Sequence, residues 1–337
     1  MESKSYHCGI EIDEIAVCDF GLMKRMSNQD ILELGRGKVD PKLANFLSKK
    51  MGIETRYHCP DELSSFELAA NALDKLISKQ PEIIDEAEFF IFAGISNPLP
   101  TVCTSSLLAC DKGFKKASCW DLKSGCSSGV LAMQQALDWV NLGAKQGVII
   151  CAESMTKFAN PEALQMSAST GDGACAMIVK RSDSWKVLGS VHGTDSRFMR
   201  SMYVPGKYPV KKDFNPLDYV FTFDEKGETL EMMAHYWMQS LSDLLKVSGI
   251  SGSEVTDYIA HQVDGTKNKK FALAQEIPES SVALNFRDYG NMGCPTVFIN
   301  YAQWMQNREN DFSRGDKLVL HAVGGGLSWA GLCLERV

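Results

Sequence analysis

Residues 117–140 read ASCWDLKSGCSSGVLAMQQALDWV. The first six residues make a short strand-like run, and KSGCSSG at 123–129 breaks it. Beyond the break, Val130, Met133, Leu137 and Val140 recur at helical spacing. Cys126 therefore occupies a strand-to-helix turn between Gly125 and Gly129. Such a turn aims the side chain out of the sheet end and sets the thiol at a helix N-terminus, where partial positive charge favours a thiolate. The glycines admit a close approach to the backbone, and the Cys126 N–H is free to donate to a developing oxyanion. Taken alone, the stretch describes a buried thiol beside a tight turn equally well.

Working outward, the chain alternates strands and helices. ELAANALDKLIS (67–78) places Leu68, Ala72 and Leu76 on one helical face, and AEFFIFAG (87–94) is a buried strand closed by glycine. Pro98 and Pro100 mark a loop. After the helix that follows Cys126, VIICAE (148–153) is a third buried strand. Strand, helix, strand, helix, strand in that order predicts an α/β sheet with parallel strands. GDGACAMIVKR (171–181) reads as a further strand, and SDSWK after it as a boundary, which divides the chain into 1–183 and 184–337. The second part repeats the grammar: a long amphipathic helix from Glu228 to Lys246, a short strand DYIAHQ (257–262), a helix from Val297 to Met305, and LVLHAVGGG (318–326) running into glycines. The closing AGLCLERV loosely echoes GACAMIVKR and hints at a duplicated fold. Residues 195–220 fit neither part and read as an inserted, aromatic-rich loop segment.

Composition sets the class. The chain has 337 residues, 45% hydrophobic and 23% charged, with a net charge of −7. That is ordinary for a globular protein large enough to need no staple, and the acidic balance disfavours nucleic acid as a partner. Lysine clusters at Lys267, Lys269 and Lys270, and at Lys211 and Lys212, read first as solvated surface and otherwise as a patch for an acidic or phosphorylated partner such as a carrier protein. The 11 cysteines include no CxxC pair and no zinc spacing. Met1 to Ile15 has no apolar signal core, and no run approaches the ~20 apolar residues that span a bilayer. These features predict a cytoplasmic protein with free thiols, no metal and no membrane contact.

Three further positions carry possible chemistry. His261, in AHQVDG, ends a short apolar strand, from which it can serve as an acid–base group or oxyanion donor, or be simply structural. Asn291, in YGNMG, lies between glycines; its amide can donate to a carbonyl oxygen, or it is an ordinary turn residue. Gly324, Gly325 and Gly326 end a strand and either expose an N–H to an oxyanion or make a turn.

The order and contexts of these segments resemble the β-ketoacyl-acyl-carrier-protein synthase III enzymes of the thiolase superfamily. RYHCPDE (56–62), FAGISNPLP (92–100), DLKSGCSSG (121–129), GDGACAMIV (171–179), HQVDGTK (261–267), YGNMG (289–293) and VGGGLSWAG (323–331) carry the resemblance, which runs from about Arg56 to the C-terminus. It implies a thiolase-like α/β fold, with duplicated βαβαβαββ halves forming a five-layer αβαβα sandwich. It implies that Cys126 is acylated by a thioester, with the N–H groups of Cys126 and Gly325 as the oxyanion hole. His261 and Asn291 would hold the thioester carbonyl of a malonyl-type substrate, whose decarboxylation yields an enolate that attacks the acyl-cysteine. Coenzyme A or acyl-carrier-protein thioesters would be the substrates, no cofactor would be permanently bound, and the protein would be a homodimer.

Several residues depart from the family pattern. Where those enzymes carry a tryptophan and an arginine that hold the coenzyme A nucleotide, FLSKKMGIETR (46–56) offers Phe46 and Lys50. Phe46 can still stack, whereas Lys50 keeps the charge without the guanidinium fork. Asp264 stands where an asparagine is usual, and Lys123 where small apolar residues are commoner. Together with the 195–220 insertion, these point to a specialised, secondary-metabolism branch. Two other readings follow from the same residues: an acyltransferase that passes the acyl group from Cys126 to a hydroxyl, amine or carrier protein without condensation, and a partner subunit of a heterodimeric synthase.

Overall fold

The computed structural model describes every residue except 1–5, 35–40, 100, 161–166, 208–209, 211, 224–226 and 309–310. Pro100, Lys211, the first five residues and part of the 195–220 segment therefore lie outside the described residues.

Two five-stranded sheets share one topology. The first contains β1 (Gly9–Val17), β2 (Phe89–Ala93), β3 (Ser118–Leu122), β4 (Gln146–Glu153) and β5 (Gly173–Ser182). Strand β2 runs parallel to β3 and β4, whereas β5 is antiparallel to both β4 and β1. The second sheet contains β6 (Trp185–Thr194), β7 (Asp257–Ala260), β8 (Val282–Ala283), β9 (Lys317–Gly324) and β10 (Ser328–Arg336). There β7 runs parallel to β8 and β9, and β10 is antiparallel to β9 and β6. Strand for strand the halves correspond, so the faint echo between their last strands reflects a duplicated fold. The expectation of parallel pairing holds among three strands of each sheet; the other two join through antiparallel pairing, with β5 and β10 alone running against the rest. Asp183 and Ser184 carry the chain from β5 in one sheet to β6 in the other.

Five layers result. Helices α3 (Ser128–Asn141) and α6 (Thr296–Asn307) lie between the sheets. There they pack with Phe89, Ile91, Ile149 and Met177 of the first sheet and with Ile259, Leu318, Leu320 and Leu332 of the second. A helix between two sheets must be apolar nearly all round, and six consecutive residues of α6, Val297 to Ala302, are buried. Helix α1 (Ser65–Lys79) covers the outer face of the first sheet through Leu68, Leu73 and Leu76, against Phe90, Phe92 and Ile150. Its start is fixed by a capping box in which Ser64 and Glu67 each satisfy a backbone N–H of the other. Helix α2 (Thr104–Lys112) lies on the same side through Leu108 and Ala109. Helices α4 (Glu228–Ser248) and α5 (Gly265–Ala274) cover the outer face of the second sheet, with Trp237, Leu241, Leu244 and Ala272 against Tyr258, Val319 and Cys333.

The alternating faces of β2 show why both surfaces must be covered. Phe89, Ile91 and Ala93 point to the central layer, and Phe90 and Phe92 to the outer one. All five are 0% exposed. This arrangement stacks the ends of β3, β7 and β9 near the start of α3, where the sequence placed its chemistry.

Candidate active site

Cys126 lies between β3 and α3 and is 5% exposed. Its loop is closed by serine hydroxyls. Ser128 Oγ accepts from Ser124 N at 2.7 Å and donates to Gly125 O at 2.7 Å. Ser127 Oγ donates to Ser124 O at 2.7 Å, and Ser328 Oγ, at the start of β10, donates to the same carbonyl at 2.8 Å. These hydroxyls join the Cys126 loop to the C-terminal glycine loop. Contact there is tight: a Cβ on Gly324 would lie 2.4 Å from Cys126 N, so only glycine fits.

The thiol itself is raised to about 12. Burial is the main cause and the Glu153 carboxylate the second, while the backbone N–H groups of Gly325 and Cys126 pull the other way. The expectation that the helix end would set a low thiol pKa is therefore corrected. Complete desolvation and a buried carboxylate outweigh it in the free protein. The two N–H groups that do favour the anion are the pair expected to face an oxyanion. Lys123 is exposed and is not among the charges acting on the thiol.

His261 follows β7 directly. Its backbone N–H donates to His321 O at 2.9 Å, and its carbonyl accepts from Asn268 Nδ2 at 2.7 Å. The side chain is 0% exposed, and neither ring nitrogen meets the geometry of a full hydrogen bond, the Gly293 backbone making only a weak contact with the ring. Burial lowers its pKa to about 3, against a smaller influence from the Gly293 backbone, so the ring is neutral and keeps one N–H to give. Asn291 is tied at both ends of its peptide unit, its N–H to Ser169 O at 2.7 Å and its carbonyl to Gly171 N at 2.8 Å. Its Oδ1 accepts from Gly293 N at 2.9 Å, which commits the amide oxygen and leaves the NH2 as the free donor.

Gly293 is where the parts meet. Its backbone touches His261 and Asn291, and a Cβ there would lie 3.0 Å from Glu153 Cγ. Glu153, at the end of β4, is 0% exposed. Its Oε1 accepts from Ile95 N at 2.9 Å, and its Oε2 from Ser96 N at 3.0 Å and from Ser96 Oγ. Burial raises it to about 7 despite these donors. Cys294, next in the chain to Gly293, donates its thiol to Ala93 O at 3.1 Å, and Cys126 is among the groups that raise its pKa, after burial. Cys126, Gly325, His261 and Asn291 thus lie around one buried cluster. Glu153 and the loop serines belong to it too, and no motif singled them out.

The remaining candidates lie apart from this cluster. Phe46 is 48% exposed and opens a π-helical turn, Phe46–Met51, on which Lys50 is also exposed. Asp264 is 9% exposed and caps α5, with Oδ1 accepting from Lys267 N at 3.0 Å. Met199 and Met202 of the 195–220 segment lie against the glycine loop. Met202 and Tyr203 pair antiparallel with Thr222 and Phe223, and a Cβ on Gly325 would lie 2.6 Å from Met202 Cε. Phe221 N donates to Phe158 O at 2.8 Å, which ties the segment to the chain after β4. An open cleft of about 520 Å³ lies beside it, lined by Arg197, Phe198, Arg200, Thr222 and Glu228 among others. Among the described residues no group of three or more His, Cys, Asp or Glu side chains is placed to hold a metal ion, and no helix is long and apolar enough to cross a membrane.

Comparison with known proteins places the chain in a family. Residues 120–196 match the sequence model of 3-oxoacyl-[acyl-carrier-protein] synthase III, and residues 245–336 that of the C-terminal part of the same enzymes, together about half of the chain. The β-ketoacyl-[acyl-carrier-protein] synthase III of Streptococcus equi subsp. zooepidemicus is 24% identical over 293 residues, covering 86% of this chain and 90% of that protein. The enzyme of the same name from Streptococcus gordonii is 23% identical, covering 85% and 89%. Among solved structures, the 3-oxoacyl-[acyl-carrier-protein] synthase III of Aquifex aeolicus superposes with a TM-score of 0.83 at 21% identity, over 97% of this chain and 100% of that one. Xanthomonas campestris OleA, crystallised with lauric acid and lauroyl-coenzyme A, superposes with a TM-score of 0.81 at 17% identity, over 98% and 100%. Both structures have the fold described above. The chain belongs to the 3-oxoacyl-[acyl-carrier-protein] synthase III family, condensing enzymes built on the thiolase-superfamily fold.

Proposed function

We propose that Cys126 takes an acyl group from an acyl thioester and that the enzyme then condenses this group with a malonyl-type thioester, releasing carbon dioxide and a β-ketoacyl product. The observation that carries this reading is the pair His261 and Asn291. His261 is fully buried with neither ring nitrogen in a full hydrogen bond, and Asn291 has its oxygen committed and its NH2 free. Simple acyl transfer has no use for two neutral N–H donors aimed at a second carbonyl. Decarboxylation does, because the electron pair left by carbon dioxide moves onto the thioester oxygen and must be held there.

In the first step the S–H bond of Cys126 breaks as its sulfur bonds the acyl carbon, and the donor's thiolate leaves and takes up that proton. The Cys126 and Gly325 N–H groups hold the tetrahedral oxyanion. In the second, the enolate carbon bonds the acyl carbon, and the sulfur of Cys126 departs with the electron pair and regains a proton. A neutral His261 suits the second step, since an imidazolium would give up its proton to the enolate.

A carrier-protein thioester is the donor best suited to the surface. Phe46 and Lys50 are both exposed and present no planar fork for a nucleotide phosphate. The half-buried edge strand β3 leaves a row of backbone groups open to pairing with a second copy of the chain, so the working form is a homodimer. With the departures at Phe46, Lys50 and 195–220, the enzyme serves a specialised branch rather than general fatty-acid initiation.

The test supplies an acyl-carrier-protein donor and then a malonyl thioester, and follows carbon dioxide release for wild type and Asn291→Ala. Wild type releases carbon dioxide only after acylation, and the variant releases it about 10²–10³-fold more slowly while still becoming acylated. If Asn291→Ala lost self-acylation as strongly as condensation, the role given to Asn291 would be wrong.

A further inference from the structure

The N–H of Gly325 belongs to a loop with little of its own to fix its shape. Strands β9 and β10 pair as far as Gly324 and Ser328, which leaves Gly325, Gly326 and Leu327 as the hairpin loop between them. Two of the three residues have no side chain to pack, and the loop turns through a φ of +129° at Gly326. Its position is therefore set from outside. Gly125 packs against one side of it. The chain that follows β6 supplies the other side: Asp195 N donates to Leu327 O at 2.8 Å, and Met199 and Met202 lie against Gly326 and Gly325.

Asp195 is anchored more firmly than a turn at the surface needs. Its side chain is 9% exposed, although the arginine it meets is 75% exposed. Oδ1 accepts from Arg197 N at 3.1 Å and from Arg197 Nε at 2.9 Å. Oδ2 accepts from Arg197 Nη2 at 2.6 Å and from the Tyr236 hydroxyl at 2.6 Å. Capping the short 3-10 turn Ser196–Phe198 takes only the bond from Arg197 N, so the guanidinium fork and the tyrosine bond are surplus to that role. Tyr236 comes from α4, and its ring stacks on Trp329 of β10, with centroids 4.5 Å apart and planes 12° from parallel. Trp329 follows Ser328, whose hydroxyl holds Ser124 O just before Cys126. A Cβ on Gly193 would lie 2.3 Å from Trp329 Cζ2, so the end of β6 makes room for the same indole. Asp195 thus ties β6, α4 and the start of β10 together around the glycine loop.

We propose that Asp195 is a positioning residue for the acylation step: its backbone N–H grips Leu327, its carboxylate grips Arg197 and Tyr236, and the clamp holds the Gly325 N–H where the tetrahedral oxyanion on Cys126 forms. Asp195 acts through the glycine loop. An oxyanion donor works only from the position it is aimed at, and a misplacement of about 1 Å costs on the order of 10²-fold in rate. A loop of two glycines and a leucine drifts by that much unless it is held. This inference rests on Cys126 being acylated with Gly325 as an oxyanion donor, and it extends that reading by naming what sets the donor's position.

Two reactions of Cys126 separate this role from a structural one. Acylation by nitrophenyl butyrate passes through a tetrahedral oxyanion and releases nitrophenolate in a burst. Alkylation by iodoacetamide displaces iodide and forms no oxyanion. Both are followed on the full chain, with Cys126→Ala as the blank. Asp195→Asn fills the same space but loses the charge and one of the two acceptor oxygens. Its acylation is expected to be about 10–10²-fold slower, while alkylation keeps the wild-type rate. Equal falls in both reactions, or no fall in acylation, overturn the proposal, because a merely structural side chain disturbs the thiol as a whole or leaves it alone. Failure of the underlying reading looks different: wild type then gives no burst above the Cys126→Ala blank, and the proposal falls with it. Should Asp195→Asn fail to fold, Tyr236→Phe decides the matter, since it keeps the stack on Trp329 and removes only the hydroxyl. Its acylation is expected to be about fivefold slower, the worth of one ordinary hydrogen bond, with alkylation unmoved. An unchanged acylation rate in Tyr236→Phe overturns the proposal.

Discussion

Gly125 and Gly325 face each other across the two halves of the molecule: a Cβ on Gly125, whose φ is +56°, would lie 2.7 Å from the Gly325 carbonyl oxygen. One glycine precedes Cys126, and the other's N–H lies against its thiol. The contact fixes the thiol relative to that N–H, although the two residues are 200 positions apart in the chain.

That contact makes Gly125→Ala a sharp probe. The alanine needs a left-handed backbone and space that the Gly325 carbonyl already fills, at a cost of about 1–3 kcal/mol. The glycine loop has to retreat to make room. Thermal unfolding is expected to show a lowered Tm, and the acylation rate of Cys126 is expected to fall more than the loss of stability alone explains.

The Asp264 side chain bears on stability through its cap on α5. Asp264→Ala removes the bond to Lys267 N and is expected to cost about 1 kcal/mol, whereas Asp264→Asn, an equally good cap, costs little. Urea unfolding of the two variants beside wild type checks the difference.

Acid sensitivity follows from the buried imidazole. His261 falls from an ordinary value of 6.5 to about 3 in the folded chain. Below pH 6.5 the unfolded chain therefore binds a proton that the folded one refuses. This residue's contribution to stability is intact above that pH and is lost as the pH falls toward 3, at about 1.4 kcal/mol per pH unit. Unfolding free energies of wild type and His261→Ala, measured from pH 7 to pH 4, are expected to converge as the pH falls. Buried groups that do not interact with His261 contribute to both proteins and cancel in the difference, whereas His321, whose pKa His261 helps to lower, adds to it.

Much of this was legible in the sequence because the signals are local. Strands β2 and β4 are unbroken apolar runs, α3 has its helical period, and Cys126, His261 and Asn291 each sit at an abrupt change of pattern. The missed features have physical reasons too. Strand β1 carries a bulge between Ile12 and Glu14 that spoils its alternation, and β6 is interrupted by Gly189 and Gly193. Both escaped the reading of the chain, and with them the antiparallel pairing of β5 and β10. Glu153 was passed over at the end of the VIICAE strand, because its donors Ile95 and Ser96 lie more than 50 residues away. The raised Cys126 pKa has the same origin: burial and a distant carboxylate are tertiary facts, whereas the helix end that was expected to lower it is a local one.

The central claim is that Cys126 carries the acyl group. Intact mass of wild type and Cys126→Ala, after incubation with acyl-carrier-protein and acyl-coenzyme A donors, tests it most directly. The account predicts a mass increase of one acyl group on wild type and none on the variant. An adduct that persists in Cys126→Ala, or no adduct on wild type with any donor, would contradict it.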